Sequence, residues 1–214
     1  MNPQSSASGE GAAKFTPRWG ATTPLPEGDW RDLSRWREKL AALHVLGVDA
    51  HGVAFGNLSQ RRFGTFRFII TGTQTAGLSS LDERHFVEVA SFDLGRHALE
   101  CRGPILPSSE ALSHAAVYAS DPRVMACLHV HHPLLWRELF GRVPTTSSDG
   151  ECGSLKMAHD ILQLFAHARG HEPRIVVMGG HRDGLLFMGE TLEDAGRRLS
   201  EELLRLQPSA LPAR

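Results

Sequence analysis

Apolar positions along the chain fall into alternating helical and strand textures. Leu33, Trp36, Leu40 and Leu43 recur at spacings of three and four, which predicts a helix from about Asp29 that stops at Gly47. From Val53 the texture turns to strand, first Val53 to Ser59 running on to Arg61, then Thr65 to Thr71 after a turn at Phe63-Gly64. A short helical turn over 80–85 precedes two more predicted strands, 86–92 and 98–101. Ser108 or Ser109 is placed to cap a helix reaching about Ser120, with Leu112, Ala115, Ala116 and Ala119 on its inner face. A strand over 124–131 follows, then a helix from Pro133 to Phe140. Beyond a loop at 150–153, Leu155 to Ala168 has helical periodicity closed by Gly170. Residues 174–178 (R-I-V-V-M) read as a buried strand, 179–184 as a tight turn and 185–188 as its partner. Thr191 caps a last helix with Leu192, Ala195, Leu199, Leu203 and Leu206 on one face.

Strands in the middle with helices between them and at both ends predict an α/β sandwich around a mixed, largely antiparallel sheet. Residues 1–27 are rich in Ser, Gly, Ala, Thr and Pro without apolar periodicity and read as a mobile tail. The domain is then 28–207, and 208–214 is a loose C-terminal tail. No internal repeat is visible, and 214 residues suit one domain with a real core.

Composition narrows the class. An apolar fraction of 41% with 22% charge is that of a soluble globular protein. A formal charge of −1 argues against nucleic acid or an anionic membrane as partner. Cys101, Cys127 and Cys152 are an odd count without C-x-x-C spacing, as expected of reduced thiols in a cytoplasmic protein. No run approaches the roughly 18 apolar residues of a membrane span, and the N-terminus lacks the pattern of a secretion signal. Histidine is the outlier: of 12, three lie within 129–132.

The chemistry concentrates in Leu106 to Pro133. Side chains two apart in a strand share a face, roughly 7 Å apart at the backbone, so His129 and His131 can converge on one metal ion. His181 sits in a Gly-rich turn just after a buried strand whose end lies where it can join them. Three neutral imidazoles leave one coordination position open, which suits a catalytic Zn²⁺. The plainer reading is a set of core histidines held by hydrogen bonds. Cys127 shares the His129 face but reads as a small buried hydrophobe, and His132 points the other way, in a structural or helix-capping role. Glu110 is a first-turn carboxylate favoured by the helix dipole, or, near a metal, a general acid/base or displaceable ligand. Ser108 and Ser109 are caps, or an anion site at a helix N-terminus. No G-x-S-x-G, P-loop, G-x-G-x-x-G or H-E-x-x-H is present.

Gly56-Asn57-Leu58-Ser59, Ile70-Thr71, Pro107-Ser108-Ser109-Glu110, the His129-x-His131 strand, and His181 ahead of a helix opening T-L-E-D-A come in a telling order. Over about 30–205 this order resembles the class II aldolase/adducin family, in organisation the fuculose- and rhamnulose-type phosphate aldolases above all. The resemblance implies a three-layer α/β/α fold and a cytoplasmic homotetramer of fourfold symmetry acting on a small carbohydrate or 2-oxo acid. It also implies a divalent metal near a subunit interface, Zn²⁺ first, with Mn²⁺ or Co²⁺ compatible. By position, His129, His131 and His181 correspond to the metal-binding histidines and Glu110 to the catalytic carboxylate. Gly56, Asn57, Ser108 and Ser109 correspond to a phosphate-holding set, with Thr71 and Thr73 more loosely. The implied reaction is retro-aldol cleavage of a hydroxylated ketose or ketose phosphate through a metal-stabilised enediolate.

Three positions depart from those aldolases. Gly72-Thr73-Gln74 stands where they read Pro-Thr-Gly or Pro-Ser-Gly. Arg182-Asp183 separates His181 from its glycine, which sets a cation and a carboxylate beside the expected metal. Tyr118, the single tyrosine, lies within a predicted helix and not near the C-terminus. Within the family, a 4-epimerase typically carries Asp at the Glu110 position, and a sugar-phosphate dehydratase carries Glu. A non-catalytic adducin-like scaffold would have lost the histidines, and all three are present here.

Overall fold

The structure, a computed structural model, describes residues 16–168, 170 and 172–206. Its strands are β1 (Thr16–Ala21), β2 (Gly47–Val48), β3 (Ala54–Phe55), β4 (Asn57–Arg61), β5 (Phe68–Thr71), β6 (Phe86–Asp93), β7 (Ala98–Gly103), β8 (Ala126–His131), β9 (Ile175–Val177) and β10 (Gly184–Gly189). Its helices are α1 (Glu27–Ala42), α2 (Ala111–Ser120), α3 (Pro133–Leu139), α4 (Leu155–Ala166) and α5 (Leu192–Leu206), with a 3₁₀ turn at Glu83–His85. Eight strands form one sheet in the order β1-β7-β6-β5-β4-β8-β10-β9. Every neighbouring pair in it is antiparallel except β1 with β7. β2 and β3 make a separate small hairpin.

Strand alternation sends side chains to two cores, one on each face of the sheet. Cys127 of β8, Leu186 and Met188 of β10 and Ile70 of β5 pack with α2 and α4 on one side. Leu128 and Val130, Leu185 and Phe187, and Ile69 pack with Leu33 and Leu40 of α1 and Leu192, Ala195 and Leu199 of α5 on the other. The helix–sheet–helix sandwich implied by the resemblance is therefore the fold observed. The last helix matches its apolar stripe, and Thr191 Oγ1 accepts the Asp194 N–H at 3.0 Å as its cap.

Two expectations need correction. Residues 16–21 are not a tail: they form an edge strand along β7, fixed further by the Trp19 indole N–H donating to the Gly103 carbonyl at 3.0 Å. Residues 1–15 and 207–214 lie outside the described residues. In α1, Leu43 is exposed at the C-cap, and the buried face runs through Leu33, Ser34, Arg37 and Leu40. Arg37 is 3% exposed and gives its guanidinium to the carbonyls of Thr75, Ala76, Leu78 and Ser79. A buried cation thus holds the loop after β5, where its donors find carbonyls rather than water.

Candidate functional site

β8 is the central strand of the site. It ends in His129 and His131, which share one face, with His129 buried and His131 half-buried. Pairing fixes its neighbours: Asn57 of β4 stands opposite His129 on one side, and Leu186 and Gly184 of β10 stand opposite His129 and His131 on the other. The turn between β9 and β10 brings His181, 5% exposed, over the same end of the sheet. Here His131 Nε2 lies 3.1 Å from His129 Nε2 and 2.9 Å from His181 Nε2.

Glu110 enters from the N-terminus of α2. It occupies the N-cap position but makes no capping bond with its side chain; the Ser108 hydroxyl accepts the Glu110 N–H instead, at 3.3 Å. That frees the carboxylate, 3% exposed as a residue, to face the histidines. Its Oε2 lies 2.5 Å from His129 Nε2 and accepts the Asn57 Nδ2–H at 3.1 Å. Its Oε1 lies 3.7 Å from His181 Nε2 and accepts the Cys152 S–H at 3.0 Å.

The electrostatics follow from burial. Burial opposes ionisation of Glu110, but the His129 and His181 imidazoles and the bonds from His129 and Cys152 outweigh it, holding the carboxyl well below the usual range. Burial, aided by the like charges of His129 and His181, pushes the His131 pKa down to about 2. His131 is therefore a neutral imidazole, the ligand form, at any ordinary pH. His129 Nδ1 lies 3.2 Å from the Leu185 carbonyl, which can only accept, so Nδ1 carries a hydrogen. Nε2 then meets the Glu110 carboxylate and His131 Nε2 head on. That meeting is favourable only with a cation, proton or metal, among the acceptors. The donor atoms of His129, His131 and His181 all lie within 4.8 Å of one another, as do those of Glu110, Cys152 and His181.

Gly56, Asn57, Thr73, Ser108 and Ser109 line the cavity in front of this cluster. Thr71 does not: it is buried, and its hydroxyl accepts the Leu58 N–H at 3.4 Å. Arg182 also stands apart, its side chain 89% exposed; with Asp183 it edges a neighbouring groove that shares Phe55 and His131. Cys127 is fully buried in the α2–α4 core, and His132 caps α3 by accepting the Leu135 N–H at 3.2 Å, both as expected. Tyr118 is bonded beneath the site: Ser59 Oγ lies 2.6 Å from both its OH and His114 Nδ1. Cys152 was not anticipated as part of the site, and only its place in a Gly-rich loop hinted at it.

Fold and site together define an α/β protein with three imidazoles and one carboxylate converging at the end of a mixed sheet. The chain belongs to the class II aldolase and adducin family: the sequence profile of the class II aldolase and adducin N-terminal domain matches residues 42–205. Solved structures share the fold. The Escherichia coli protein YgbL, whose activity is named only as aldolase, epimerase or decarboxylase, is 20% identical with a TM-score of 0.62, over 86% of this chain and 91% of that one. An L-fuculose 1-phosphate aldolase is 17% identical (TM-score 0.60, 88% and 92% covered). A sugar-phosphate aldolase from Thermotoga maritima is 16% identical (TM-score 0.58, 85% and 97% covered). No curated protein matches the chain.

Proposed function

We propose that the protein is a metal-dependent aldolase that cleaves a hydroxylated ketose, ketose phosphate or 2-oxo acid. In this reading His129, His131 and His181 hold a divalent ion, Zn²⁺ first, and Glu110 moves the proton. One observation carries it: three imidazole nitrogens and a carboxylate are packed face to face, while His129 Nδ1 is already spent on a carbonyl. Nitrogen donors with a tautomer fixed from behind fit zinc, and Co²⁺ or Mn²⁺ suits the same set.

When bound, the metal supplies a Lewis acid for the carbonyl and hydroxyl oxygens of the substrate. The chain's own residues do the rest. Retro-aldol cleavage takes the proton from the hydroxyl on the carbon being released, breaks the carbon–carbon bond and leaves an electron pair on the carbon beside the carbonyl. Glu110 is positioned to hold that proton at Oε2 and deliver it to the carbon, with Asn57 Nδ2 and Cys152 Sγ fixing the orientation of its two oxygens. Gly56, Ser108, Ser109 and Thr73 line the wall where a substrate anion or hydroxyls would lie. The similarity to aldolases of L-fuculose 1-phosphate and of sugar phosphates supports a small carbohydrate substrate. No helix among the described residues is long and apolar enough to cross a membrane. In the same reading the enzyme is cytoplasmic and a homotetramer.

Elemental analysis of the purified protein beside His129→Ala tests the reading. About one divalent metal per chain, absent in the variant, is the expected result, followed by retro-aldol activity on free or phosphorylated ketoses or 2-oxo acids. Metal-free protein that stays metal-free after incubation with Zn²⁺ would leave a binding scaffold as the reading.

A further inference from the structure

We propose that Cys152 is a sulfur donor to the same ion, so that the site is built from three imidazoles and a thiolate with Glu110 beside them. The inference rests on the metal reading above and adds a ligand that neither strand parity nor motif order assigns.

The loop carrying Cys152 is wedged between the turns that carry Glu110 and His181. Gly153 has φ +66, and a Cβ there would come within 2.3 Å of the Ser109 carbonyl oxygen, so only glycine lets the loop press against the Glu110 turn. On the other side, a Cβ on Gly180 would fall 2.3 Å from the Gly150 carbonyl oxygen, so the same loop also lies against the turn that carries His181. The result is a half-buried thiol on the cavity wall. Its sulfur, a Glu110 oxygen and a His181 ring nitrogen lie within 4.8 Å of one another, and His181 is also a member of the three-histidine group. The two donor groups share His181.

The cavity also holds an acceptor with nothing to accept from. Asn57 is 6% exposed and lines it; Nδ2 serves Glu110, while Oδ1 has no partner among the described residues. A buried amide oxygen left unpaired is costly, and it marks the cavity as built around a further polar occupant.

Ligation exchanges a proton for the metal. The S–H bond would break, its electron pair would form the S–metal bond, and the proton would leave for solvent by way of Glu110 Oε1, the acceptor the thiol already faces, so that Glu110 is again an ionised carboxylate. No oxidation state changes. A soft sulfur in the set favours Zn²⁺ and Co²⁺ over Mg²⁺ and Mn²⁺.

Cobalt substitution reads this directly, because a thiolate bound to Co²⁺ gives a sulfur-to-cobalt charge-transfer band in the near ultraviolet that imidazole and carboxylate ligands do not. Full-length wild type, Cys152→Ser and Cys152→Ala would be loaded with Co²⁺, with bound cobalt counted by elemental analysis and folding checked by circular dichroism. The expected result is the band in wild type at about one cobalt per chain, and its loss in both variants, with cobalt still held by the histidines. Wild type holding about one cobalt without the band overturns the proposal while leaving the metal reading intact, whatever the variants do. A band that survives in either folded variant overturns it too, since the sulfur would then be another cysteine. Wild type that takes up no cobalt overturns both readings together.

Discussion

At the residue scale, Glu110 shows how a carboxylate is reassigned by its surroundings. An acidic residue at the start of a helix ordinarily serves the backbone N–H groups around it, yet here Ser108 takes over that task and the carboxylate turns to the histidines. Replacing it with glutamine keeps the shape and a hydrogen-bonding oxygen but removes the basic site that takes up and releases the proton. Glu110→Gln is therefore expected to retain about one metal per chain and to lose about 10²–10⁴-fold in kcat, as read by steady-state kinetics beside elemental analysis. A variant of near wild-type rate would show that the proton moves through another group. How much of the site could be read from sequence differs by residue. His129 and His131 needed only strand parity, and Glu110 only its nearness to them. Cys152 and the Asn57 contact lie 42 and 53 positions from Glu110. Their approach depends on loop packing and sheet register, which no local pattern records. Tyr118 and His114 were equally hidden. Each sits in a helix whose inner face reads as apolar, yet their polar atoms meet Ser59 across the core, and burial pushes the His114 pKa down to about 3.

At the scale of elements, Asp121 ties the end of α2 to the approach to β9. It is 2% exposed, and its carboxylate takes the Arg123 guanidinium Nε–H at 3.1 Å, the Arg123 backbone N–H at 2.9 Å and Arg174 Nη1–H at 2.8 Å. Burial opposes its ionisation, but the bonds from Arg123 and Arg174 prevail and hold the pKa at about 2. A carboxyl depressed on folding stabilises the native state above its unfolded value of about 4, and the contribution fades as pH falls through the folded value. Asp121→Asn is expected to cost about 2 kcal/mol at pH 7, with the gap between wild type and variant clearly smaller at pH 3. Urea unfolding at the two pH values measures it, and an equal gap at both would remove the ion pairs as its cause. Regular elements were legible where a period governed burial: α5, α4, β8 and β10 were each anticipated within a few residues. β1 was not, because Thr-Pro-Arg-Trp-Gly-Ala lies along an edge, largely exposed, with no alternation to read. In α1 the period was right and Leu33 and Leu40 lie on its inner face, but Arg37 was missed, since a buried arginine gives no apolar signal.

At the scale of the whole molecule, the site gathers residues that are far apart in the chain: Asn57 from β4, Glu110 from the start of α2, His129 and His131 from β8, and His181 from the β9–β10 turn. In the unfolded chain only the two β8 histidines remain neighbours, so an ion that needs all three imidazoles binds the folded state almost alone. Binding of that kind adds RT ln(1 + [L]/Kd) to stability, about 4 kcal/mol when free metal exceeds Kd a thousandfold. For a chain of this length, each kcal/mol raises Tm by about 2–4 °C. Zn²⁺ is thus expected to raise the Tm of chelator-stripped protein by about 10 °C, with the shift reversed by chelator and abolished in His129→Ala, read by calorimetry or circular dichroism. The comparison with the variant decides the matter, because zinc taken up by scattered surface histidines would move both proteins alike. A shift in wild type alone ties the stability of both cores to the one point where β8 presents its imidazoles.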